Sequence, residues 1–476
     1  MHYSIKIPNA KASGIVEVFS PYDGEPVGSI ECIDAEGVEI ALKNMVEVFR
    51  DRNNRLPAHE RIAILERVAL TMQACSEQLI AVAIAEGGKP YPDTKIELLR
   101  AIDSLKICIE CLRSERGTEI PMQLNPASMN RLAFTHKEPI GPVVAVSAFN
   151  HPLNLIVHQV GPAVAAGCPI IIKPARETPL SAFALVEIFH QAGLPVAWCQ
   201  PVMIDDNRVA EKLVTDKHVA FFSFIGSAEV GWALRSKLAP GTRCSLEHGG
   251  VAPVIIAEDA DLNKILPLMA KGGFYHAGQV CVSVQRIYAH QSIAYKVASE
   301  LALLAEQMTV GDPADAGTEI GPLIRHREVD RVESWVNEAT SENAELITGG
   351  KRLSASQYQP TVLFNPSANS KVSQQEIFGP VICVYTYDNI DQAIEQANAL
   401  PYAFQAAIAT QNIDTALYAF KHLAASTVMI NDHTAFRVDW MPFAGLRESG
   451  YGTGGIPYTF RDMQIEKMAV IHSSVL

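Results

Sequence analysis

The chain has 476 residues, of which 48% are hydrophobic and 19% charged, and its 39 basic and 52 acidic side chains give a formal net charge of −13. This composition is typical of a globular protein with large buried cores, and the length predicts about two or three domains. The acidic balance disfavours attraction to nucleic acid or to anionic lipid surfaces, so we expect neither as a partner.

The apolar runs and the cysteines lead us to expect a cytoplasmic protein. No apolar run approaches the roughly 18 to 20 residues that a membrane-spanning helix needs, and the N-terminus lacks the apolar core of a secretory signal. Nine scattered cysteines predict reduced thiols rather than a disulfide framework. Cys108 and Cys111 form a C-x-x-C within a helix-like run, so we predict helix packing there and no metal site.

The first part of the chain predicts helices and then a sheet. Residues 58–86 and 93–116 carry apolar residues at three- and four-residue spacing, which predicts two amphipathic helices before any strong strand signal. From residue 139, short apolar runs alternate with helical stretches; the runs are GPVVAVSAF, CPIII, CQPVMI and VAFFSF. Buried runs separated by crossover helices predict a mainly parallel sheet, with nucleotides binding at the carboxyl ends of the strands.

A second alternating section predicts a second α/β domain. Its parts are APVIIAEDADLNKILPLMA, VCVSVQRIYAH, a long helix near 293–308, and FGPVICVYTY followed by the helix IDQAIEQANAL. Residues 118–138 and the tail from 460 have β-type residues but follow neither pattern. We expect these two stretches to be available for subunit contacts.

Four segments place chemically active residues beside predicted strands, although no GxGxxG fingerprint follows a strand. Lys173 ends the strand of CPIIIK, and Gly226 and Ser227 begin a helix where free N–H groups would suit a pyrophosphate. Cys281 follows a Gly-rich approach and is a candidate nucleophile, while Glu247 precedes a Gly pair and is a candidate general base. Taken singly, each segment has a more common structural explanation: a solvated lysine, a helix cap, a half-buried structural thiol and an exposed glutamate.

Taken together and in order, these segments resemble the aldehyde dehydrogenase superfamily. The matching stretches are EPIGPVVAVSAFNHPLN, GPAVAAGCPIIIKPARETPL, FIGSAEVG, LEHGG, DADL, GQVC, EIFGPV and MPFAGLRESGYGTGG. The resemblance implies an α/β fold with two doubly wound α/β domains plus a small β oligomerisation element. It assigns the cofactor domain to 1–117 and 139–247, the catalytic domain to 248–435, and the oligomerisation element to 118–138 and 459–476.

The resemblance implies oxidation of an aldehyde to a carboxylic acid with a nicotinamide nucleotide. By this likeness, Cys281 is the nucleophile, Asn150 is the side-chain oxyanion donor, and Glu247 activates the water that hydrolyses the thioester. These roles agree with the chemistry, because a thiolate adduct needs donors aimed at its oxyanion and its thioester needs a base. The likeness implies a small-molecule substrate, no metal, and a homodimer or homotetramer.

On the cofactor side, the likeness assigns Lys173 to the adenosine ribose and Gly226 with Ser227 to the pyrophosphate. It assigns Glu376 of EIFGPV to the nicotinamide ribose hydroxyls, with Phe378 packed beside that ribose.

The chain departs from the usual family pattern in four places. The position three after the motif lysine is commonly Glu in NAD-preferring members, but here KPAR gives Arg176. A guanidinium that turns inward there can pair with a 2′-phosphate, so we predict that NADP is accepted at least as well as NAD, unless Arg176 points to solvent. We interpret LEHGG for LELGG, PFAG for PFGG, and Phe149 for a common Trp as packing changes.

Arg100, His158 and Arg437 lie on segments that border the substrate tunnel in the likeness. Two cations near its mouth would suit a short anionic aldehyde, such as a semialdehyde, phosphonate, sulfonate or phosphorylated aldehyde. Against this, Val280 beside Cys281 is apolar where some phosphate-handling members carry Arg, and each arginine would serve equally in a structural ion pair. We interpret His158 as a core or tunnel-wall residue without catalytic duty.

Two alternatives stay open at this point. A CoA-acylating dehydrogenase would release the thioester to CoA, but that branch usually lacks a carboxylate at the position of Glu247. A non-catalytic structural relative of the family is the other, and the joint presence of Cys281, Asn150, Glu247 and Lys173 argues against it.

Overall fold

The computed structural model describes residues 1–476, apart from the side chain of Asn54. The chain begins with a small sheet in the order β1-β3-β2. Its strands are β1 (His2–Tyr3), β2 (Gly14–Phe19) and β3 (Pro26–Cys32). The expectation that helices precede any sheet is therefore wrong for this stretch, because short strands that bury only a few side chains, such as Val16, Val18 and Ile30, carry little apolar signal.

Four helices follow this sheet: α1 (Ala35–Arg50), α2 (Ala58–Ala74), α3 (Ser76–Gly87) and α4 (Tyr91–Ser114). The carboxylate of Asp34 caps α1 by accepting from the N–H groups of Glu36 and Gly37. The single helix predicted over 58–86 is two helices, bent by 76° at Cys75, and this bend lets α3 pack against α4. Among the described helices, none alone has the length and apolar composition to cross a membrane, and α2 with α3 passes that test only as a bent pair.

The first large sheet follows the predicted alternation of strands and helices. Its elements are β6 (Val143–Val146), α5 (Asn154–Ala166), β7 (Ile170–Lys173), α6 (Pro179–Gln191), β8 (Cys199–Pro201), α7 (Asn207–Thr215), β9 (Phe221–Ile225), α8 (Ala228–Arg235) and β10 (Arg243–Glu247), after β4 (Glu119–Ile120) and β5 (Arg131–Pro139). The strands β10, β9, β6, β7 and β8 are neighbours in that order and all parallel. Every residue of α5 is buried between this sheet and the N-terminal helices.

The second large sheet has the order β13-β14-β15-β12-β11-β17-β18, and only β13 runs antiparallel to its neighbour among the described strands. Its chain is β11 (Pro253–Ile256), α9 (Leu262–Phe274), β12 (Arg286–His290), α10 (Ala294–Gln307), α11 (His326–Ser341), β13 (Glu345–Thr348), β14 (Thr361–Phe364), α12 (Lys371–Gln374), β15 (Val381–Tyr387), α13 (Ile390–Asn398), β16 (Tyr402–Ala403), β17 (Gln405–Ala409), α14 (Ile413–His422) and β18 (Thr427–Ile430). The second alternating pattern in the sequence thus forms one mainly parallel sheet.

The last part of the chain returns to the first large sheet. It contains β19 (Leu446–Arg447), β20 (Gly450–Tyr451), α15 (Ile456–Asp462) and β21 (Gln464–His472). β20 adds to β10 as an antiparallel edge strand, and β21 pairs with β5 along its whole length. The oligomerisation element expected from 459 begins as a strand only at Gln464, because Phe460 and Met463 are buried in the core beneath α4 and α5.

The small sheet of β4, β5 and β21 exposes apolar side chains. These are Leu132, Phe134, Ile465, Met468, Val470 and Ile471. The register of β5 and β21 places Leu132, Phe134, Ile465 and Ile471 on one face of this sheet and Met468 and Val470 on the other. Exposed apolar side chains grouped on one face are typical of an interaction site, which supports the expectation that the two stretches make subunit contacts.

A buried ion pair anchors the start of α5. The Glu97 carboxylate accepts hydrogen bonds from the backbone N–H groups of Leu153 and Asn154, at 2.8 and 3.0 Å, and it also binds the Lys89 ammonium. The side chains of Lys89 and Glu97 are 2% and 1% exposed. Removing one partner would leave an uncompensated buried charge.

We expect Glu97→Ala to lower the free energy of unfolding by about 3 to 5 kcal/mol, because Lys89 and two N–H groups lose their partner. The double variant Lys89→Met/Glu97→Gln keeps an acceptor without the charges and should regain most of that loss. Urea unfolding measures both. Glu300→Ala, which breaks an exposed pair with Lys296, is the matched control and should change stability by less than about 1 kcal/mol. A Glu97→Ala loss no larger than the control's would contradict the anchoring role.

Candidate active site

One cavity of about 410 Å³ lies at the carboxyl ends of the strands of the first large sheet. Val146 ends β6, Ile225 ends β9 and Glu247 ends β10, and all three line it. The opposite wall comes from the second sheet's side and includes Cys281. This is the place where parallel α/β sheets bind ligands, as the sequence pattern predicts.

The loop before β12 carries Cys281 into this cavity. His276, Ala277 and Gly278 are left-handed, with φ of 50°, 53° and 71°. A Cβ atom at Gly278 would lie 2.1 Å from the carbonyl oxygen of Gly379, so only glycine lets the loop approach that closely. Burial raises the pKa of the Cys281 thiol, the Glu247 carboxylate raises it further, and the Arg437 guanidinium lowers it.

Asn150 lies in the same cavity wall and is joined to the cysteine loop. Its Nδ2 donates to the carbonyl oxygen of Gln279 at 2.9 Å, two residues before Cys281. A side-chain amide has two N–H donors, so the second remains for an oxyanion in the cavity. Asn150 and Cys281, which the sequence assigned to one reaction, are therefore brought together.

Glu247, at the end of β10, faces the same space. Its side chain is 14% exposed, and its Oε1 lies 3.7 Å from Nη1 of Arg437. Burial raises the pKa of this carboxyl, and Arg437 opposes the rise. A glutamate with a raised pKa beside a thiol is suited to general base catalysis near neutral pH.

The buried carboxylate of Asp439 holds a cluster of cations at the thiol end. Arg100 donates to its two oxygens at 3.0 and 2.7 Å, and Nε2 of His158 lies 2.7 Å from Oδ1. Arg437 lies within 3.9 Å of the same carboxylate, with its guanidinium 3.5 Å from the centroid of the Phe443 ring. Although burial opposes it, contact with His158 and Arg100 holds the pKa of Asp439 well below its usual range.

This cluster contains the three residues that we expected to lie beside the substrate, Arg100, His158 and Arg437. Arg100 and Arg437 line the cavity, whereas His158 is buried behind them, 6% exposed, on α5. His158 therefore supports the wall from behind, because its ring is taken up by Asp439 and by the 3.5 Å contact of Nδ1 with Arg437. The sequence analysis missed Asp439, although it follows Arg437 by two residues in FRVDW.

Glu376 and Phe378 form a second group in the cavity wall. Glu376 accepts from the N–H of Gly250 at 3.2 Å, and burial raises the pKa of its carboxyl to about 8. A Cβ atom at Gly249 would lie 1.9 Å from Oε1 of Glu376, so the Gly pair of LEHGG is what admits this side chain. Phe378 has a left-handed φ of 47° and meets the Phe149 ring edge-on at 5.9 Å.

The first sheet adds polar groups beside these two residues. The hydroxyl of Ser147 lines the cavity and is buried without a hydrogen-bond partner among the described residues. Gly226 and Ser227 precede α8, whose first N–H groups receive no side-chain cap. His248 donates from Nδ1 to the Gly226 carbonyl at 3.0 Å and packs against Phe224, so it supports this turn.

Lys173 and Arg176 lie beside the cavity but outside its wall. Lys173 ends β7, half-buried, and burial lowers the pKa of its ammonium. Arg176 is 57% exposed and forms an ion pair with Asp205, a residue that follows β8 and that the sequence analysis did not single out. The guanidinium is thus at the surface and held by one carboxylate.

A cysteine, an amide and a carboxylate around one cavity, between two mainly parallel sheets, define a class of thiol-dependent oxidoreductases. A model of the aldehyde dehydrogenase family matches residues 8–469, and the chain belongs to this family. It is 37% identical over 457 residues, 96% of this chain and 95% of its relative, to 3-sulfolactaldehyde dehydrogenase of Priestia aryabhattai.

Two solved structures are also similar. Aldehyde dehydrogenase 21 from Physcomitrella patens, in complex with the reaction product succinate, has a TM-score of 0.95 and 31% identity, covering 99% of this chain and 98% of that one. Glyceraldehyde-3-phosphate dehydrogenase from Methanocaldococcus jannaschii, complexed with NADP, has a TM-score of 0.92 and 32% identity, covering 97% and 100%. The predictions of the family, the α/β fold and an NAD(P)-dependent aldehyde dehydrogenase are confirmed.

The residues of this chain fit a nicotinamide nucleotide. The unpartnered Ser147 hydroxyl, the uncapped start of α8 and the Glu376 carboxylate together offer donors and acceptors for phosphate and ribose oxygens. Neighbours in the family are complexed with NADP or described as NAD-dependent, so either nucleotide suits the class.

Arg176 gives a test of the choice between the two nucleotides. An exposed ion pair contributes at most about 1 kcal/mol, so a 2′-phosphate can compete with Asp205 for the guanidinium. We expect Arg176→Glu to raise the KM for NADP roughly ten- to a hundredfold and to spare NAD. Asp205→Asn, the matched control, should lower the KM for NADP or leave it unchanged. Equal NADP constants in wild type and Arg176→Glu would show that Arg176 serves only Asp205.

Proposed function

We propose that this enzyme oxidises a short aldehyde bearing an anionic group to the carboxylic acid, through a thioester on Cys281. One observation carries the substrate class: Arg100 and Arg437 both line the thiol end of the cavity and share a single carboxylate, Asp439. Glu247 also lies 3.7 Å from Arg437, so two carboxylates balance the two cations, and the guanidiniums offer an anion hydrogen-bond donors beside the thiol rather than a net positive charge.

The surroundings of Arg437 strengthen this proposal. Its side chain is 10% exposed, and its Nε is buried with no hydrogen-bond partner among the described residues. The Asp439 and Glu247 carboxylates lie 3.9 and 3.7 Å from this guanidinium, too far for good hydrogen bonds. A carboxylate, sulfonate or phosphate in the cavity would offer Arg437, which lines it, a closer acceptor.

The relatives named above agree in one chemical respect. 3-Sulfolactaldehyde carries a sulfonate, succinate carries carboxylates, and glyceraldehyde 3-phosphate carries a phosphate. A short anionic aldehyde is what these three have in common, which supports the same class for this chain.

The chain's own residues supply the steps on the substrate. The Cys281 thiolate adds to the aldehyde carbon, and the free N–H of Asn150 together with the backbone N–H of Cys281 stabilises the oxyanion. A nicotinamide nucleotide, when bound, supplies the two-electron acceptor for the oxidation to the thioester. Glu247 then takes a proton from the water that attacks the thioester, and the Cys281 thiolate leaves as the acid forms.

Hydrolysis, rather than transfer to CoA, is favoured by the position of Glu247. Its carboxylate lines the same cavity as Cys281, where it can activate a water for attack on a thioester. We assign residues 1–117 and 139–247 to cofactor binding, with Lys173, Arg176, Gly226 and Ser227 on that side, and 248–435 to catalysis.

The assembly and location are part of the proposal as well. The exposed apolar side chains of β5 and β21 support a homodimer or homotetramer formed through 118–138 and the C-terminal strand. All nine cysteines are free thiols, which fits the reducing cytoplasm.

Glu247→Gln tests the hydrolytic step. We expect a burst of reduced cofactor equal to the enzyme sites, followed by a rate lower by roughly two to four orders of magnitude, because only deacylation needs the base. The raised pKa of Glu247 means that the wild-type rate falls as pH decreases through that pKa, and the Gln variant should lose this dependence. Stopped-flow absorbance at several pH values measures both. An unchanged steady-state rate without a burst would exclude Glu247, and Cys281→Ala should give no burst at all.

Arg437→Met tests the substrate class. We expect kcat/KM for 3-sulfolactaldehyde and succinic semialdehyde to fall roughly ten- to a hundredfold, because a charge-assisted contact is lost. Neutral aldehydes of the same length should fall less, only by the part that comes from the higher pKa values of Cys281 and Glu247 without Arg437. Arg352→Met, which removes an arginine paired at the surface with Asp330 and Glu333, is the matched control. An equal fall for charged and neutral aldehydes would contradict the anionic class.

A further inference from the structure

Two polar side chains interrupt an otherwise apolar part of the cavity wall. Near Cys281 the wall is formed by an apolar group in which Val280, Val282 and Phe443 pack together. His151 and Tyr275 line the same end, and neither the mechanism nor the anion contact uses them. Nε2 of His151 lies 3.1 Å from the Tyr275 hydroxyl oxygen, and the two rings meet edge-on at 6.3 Å.

Both members of this pair are uncharged. Burial lowers the pKa of His151 well below its usual value, and nearby Lys89, His276, Arg100 and Arg437 lower it further. Burial also raises the pKa of Tyr275. Either the phenol O–H donates to Nε2 or the imidazole N–H donates to the phenol oxygen, and in both cases the phenol oxygen keeps lone-pair capacity. This oxygen can therefore accept a hydrogen bond from a neutral hydroxyl.

Tyr275 lines the cavity together with Arg100, Arg437 and Cys281. Like Cys281, it packs against the group of Val280, Val282 and Phe443. In a short anionic aldehyde, the aldehyde carbon meets the thiol and the anionic group meets the arginines. The carbon next to the aldehyde then lies between these groups, in the part of the cavity that Tyr275 helps to line.

We propose that Tyr275, oriented by His151, accepts a hydrogen bond from a hydroxyl at C2 of the substrate, so that the enzyme selects 2-hydroxy aldehydes within the anionic class. This inference rests on the proposed function and adds a third point of attachment to the thiol and the arginines. Three points of attachment fix the configuration at C2, so one enantiomer is the better substrate.

The experiment combines one substitution in the protein with the removal of one hydroxyl from the substrate. For wild type and Tyr275→Phe, kcat/KM is measured with 3-sulfolactaldehyde and with its deoxy analogue 3-sulfopropanal, and with the neutral pair lactaldehyde and propanal. We expect wild type to prefer the hydroxylated member of each pair by at least roughly three- to tenfold, the effect of one neutral hydrogen bond. Tyr275→Phe, which keeps the ring and its packing, should bring both preferences close to one, mainly by slowing the hydroxylated substrates.

Two further variants separate the pair from general effects. His151→Gln keeps one hydrogen-bonding group near the phenol and should retain part of the preference. Tyr418→Phe removes a hydroxyl that bonds Asp391 at the surface and should leave every ratio at its wild-type value. Wild-type ratios in Tyr275→Phe, or no preference in wild type, would overturn the inference.

The results with lactaldehyde and propanal distinguish a failure of this inference from a failure of the proposed substrate class. If lactaldehyde is preferred to propanal but sulfonates are not preferred to neutral aldehydes, then the anionic substrate class is wrong and the contact between Tyr275 and the C2 hydroxyl stands. If sulfonates are preferred but the hydroxyl has no effect, then the anionic class stands and the contact with Tyr275 is wrong.

Discussion

The carboxylate of Asp439 is the point at which separate parts of the chain meet at the active site. It accepts hydrogen bonds from Arg100 on α4, from His158 and Asn154 on α5, and it lies within 3.9 Å of Arg437 on its own loop. Removing one member of such a buried set leaves the others unpaired, at a cost of several kcal/mol. The N-terminal helices, the first sheet and the loop after β18 are thereby fixed relative to one another, and so are the two cations that face the substrate.

Arg437 links this cluster electrostatically to Glu247 and Cys281, the proposed base and nucleophile. It lowers the pKa of both the Glu247 carboxyl and the Cys281 thiol, against the rise that burial imposes on each. The arginine proposed to bind the anionic substrate is therefore also the one that favours the charged forms of the base and the nucleophile. An anion beside Arg437 would weaken its effect on these two pKa values, so substrate binding and the titration of Glu247 are coupled through one guanidinium.

The sequence predicts the parts of the site that depend on short contiguous motifs. Cys281, Asn150 and Glu247 each lie in a segment whose neighbours define their place at the end of a strand or in a tight loop, and the structure brings all three to one cavity. The buried apolar runs also predict both parallel sheets. What the sequence does not predict depends on contacts between distant residues. His158 and Asp439 are 281 positions apart, and the pair of His151 and Tyr275 is separated by 124.

Local patterns fail for a different reason at the start of the chain. The strands of residues 2–32 bury too few side chains to give a clear alternation, and the break at Cys75 has no Gly or Pro to mark it. Arg176 shows the same limit on the surface, because KPAR predicts the charge but not its partner Asp205, which lies in the segment after β8.

The return of the chain to its first sheet has a consequence for synthesis on the ribosome. β20 and α15, which complete the first sheet and its helical layer, are translated only after the whole second sheet. Until then, β10 keeps an open edge, β5 has no β21 beside it, and the apolar surface beneath α15 has no cover. Unpaired edges and uncovered apolar surface are where nascent chains aggregate. The first sheet and its helical layer therefore cannot be completed as they emerge, and their closure waits until the second sheet has been made.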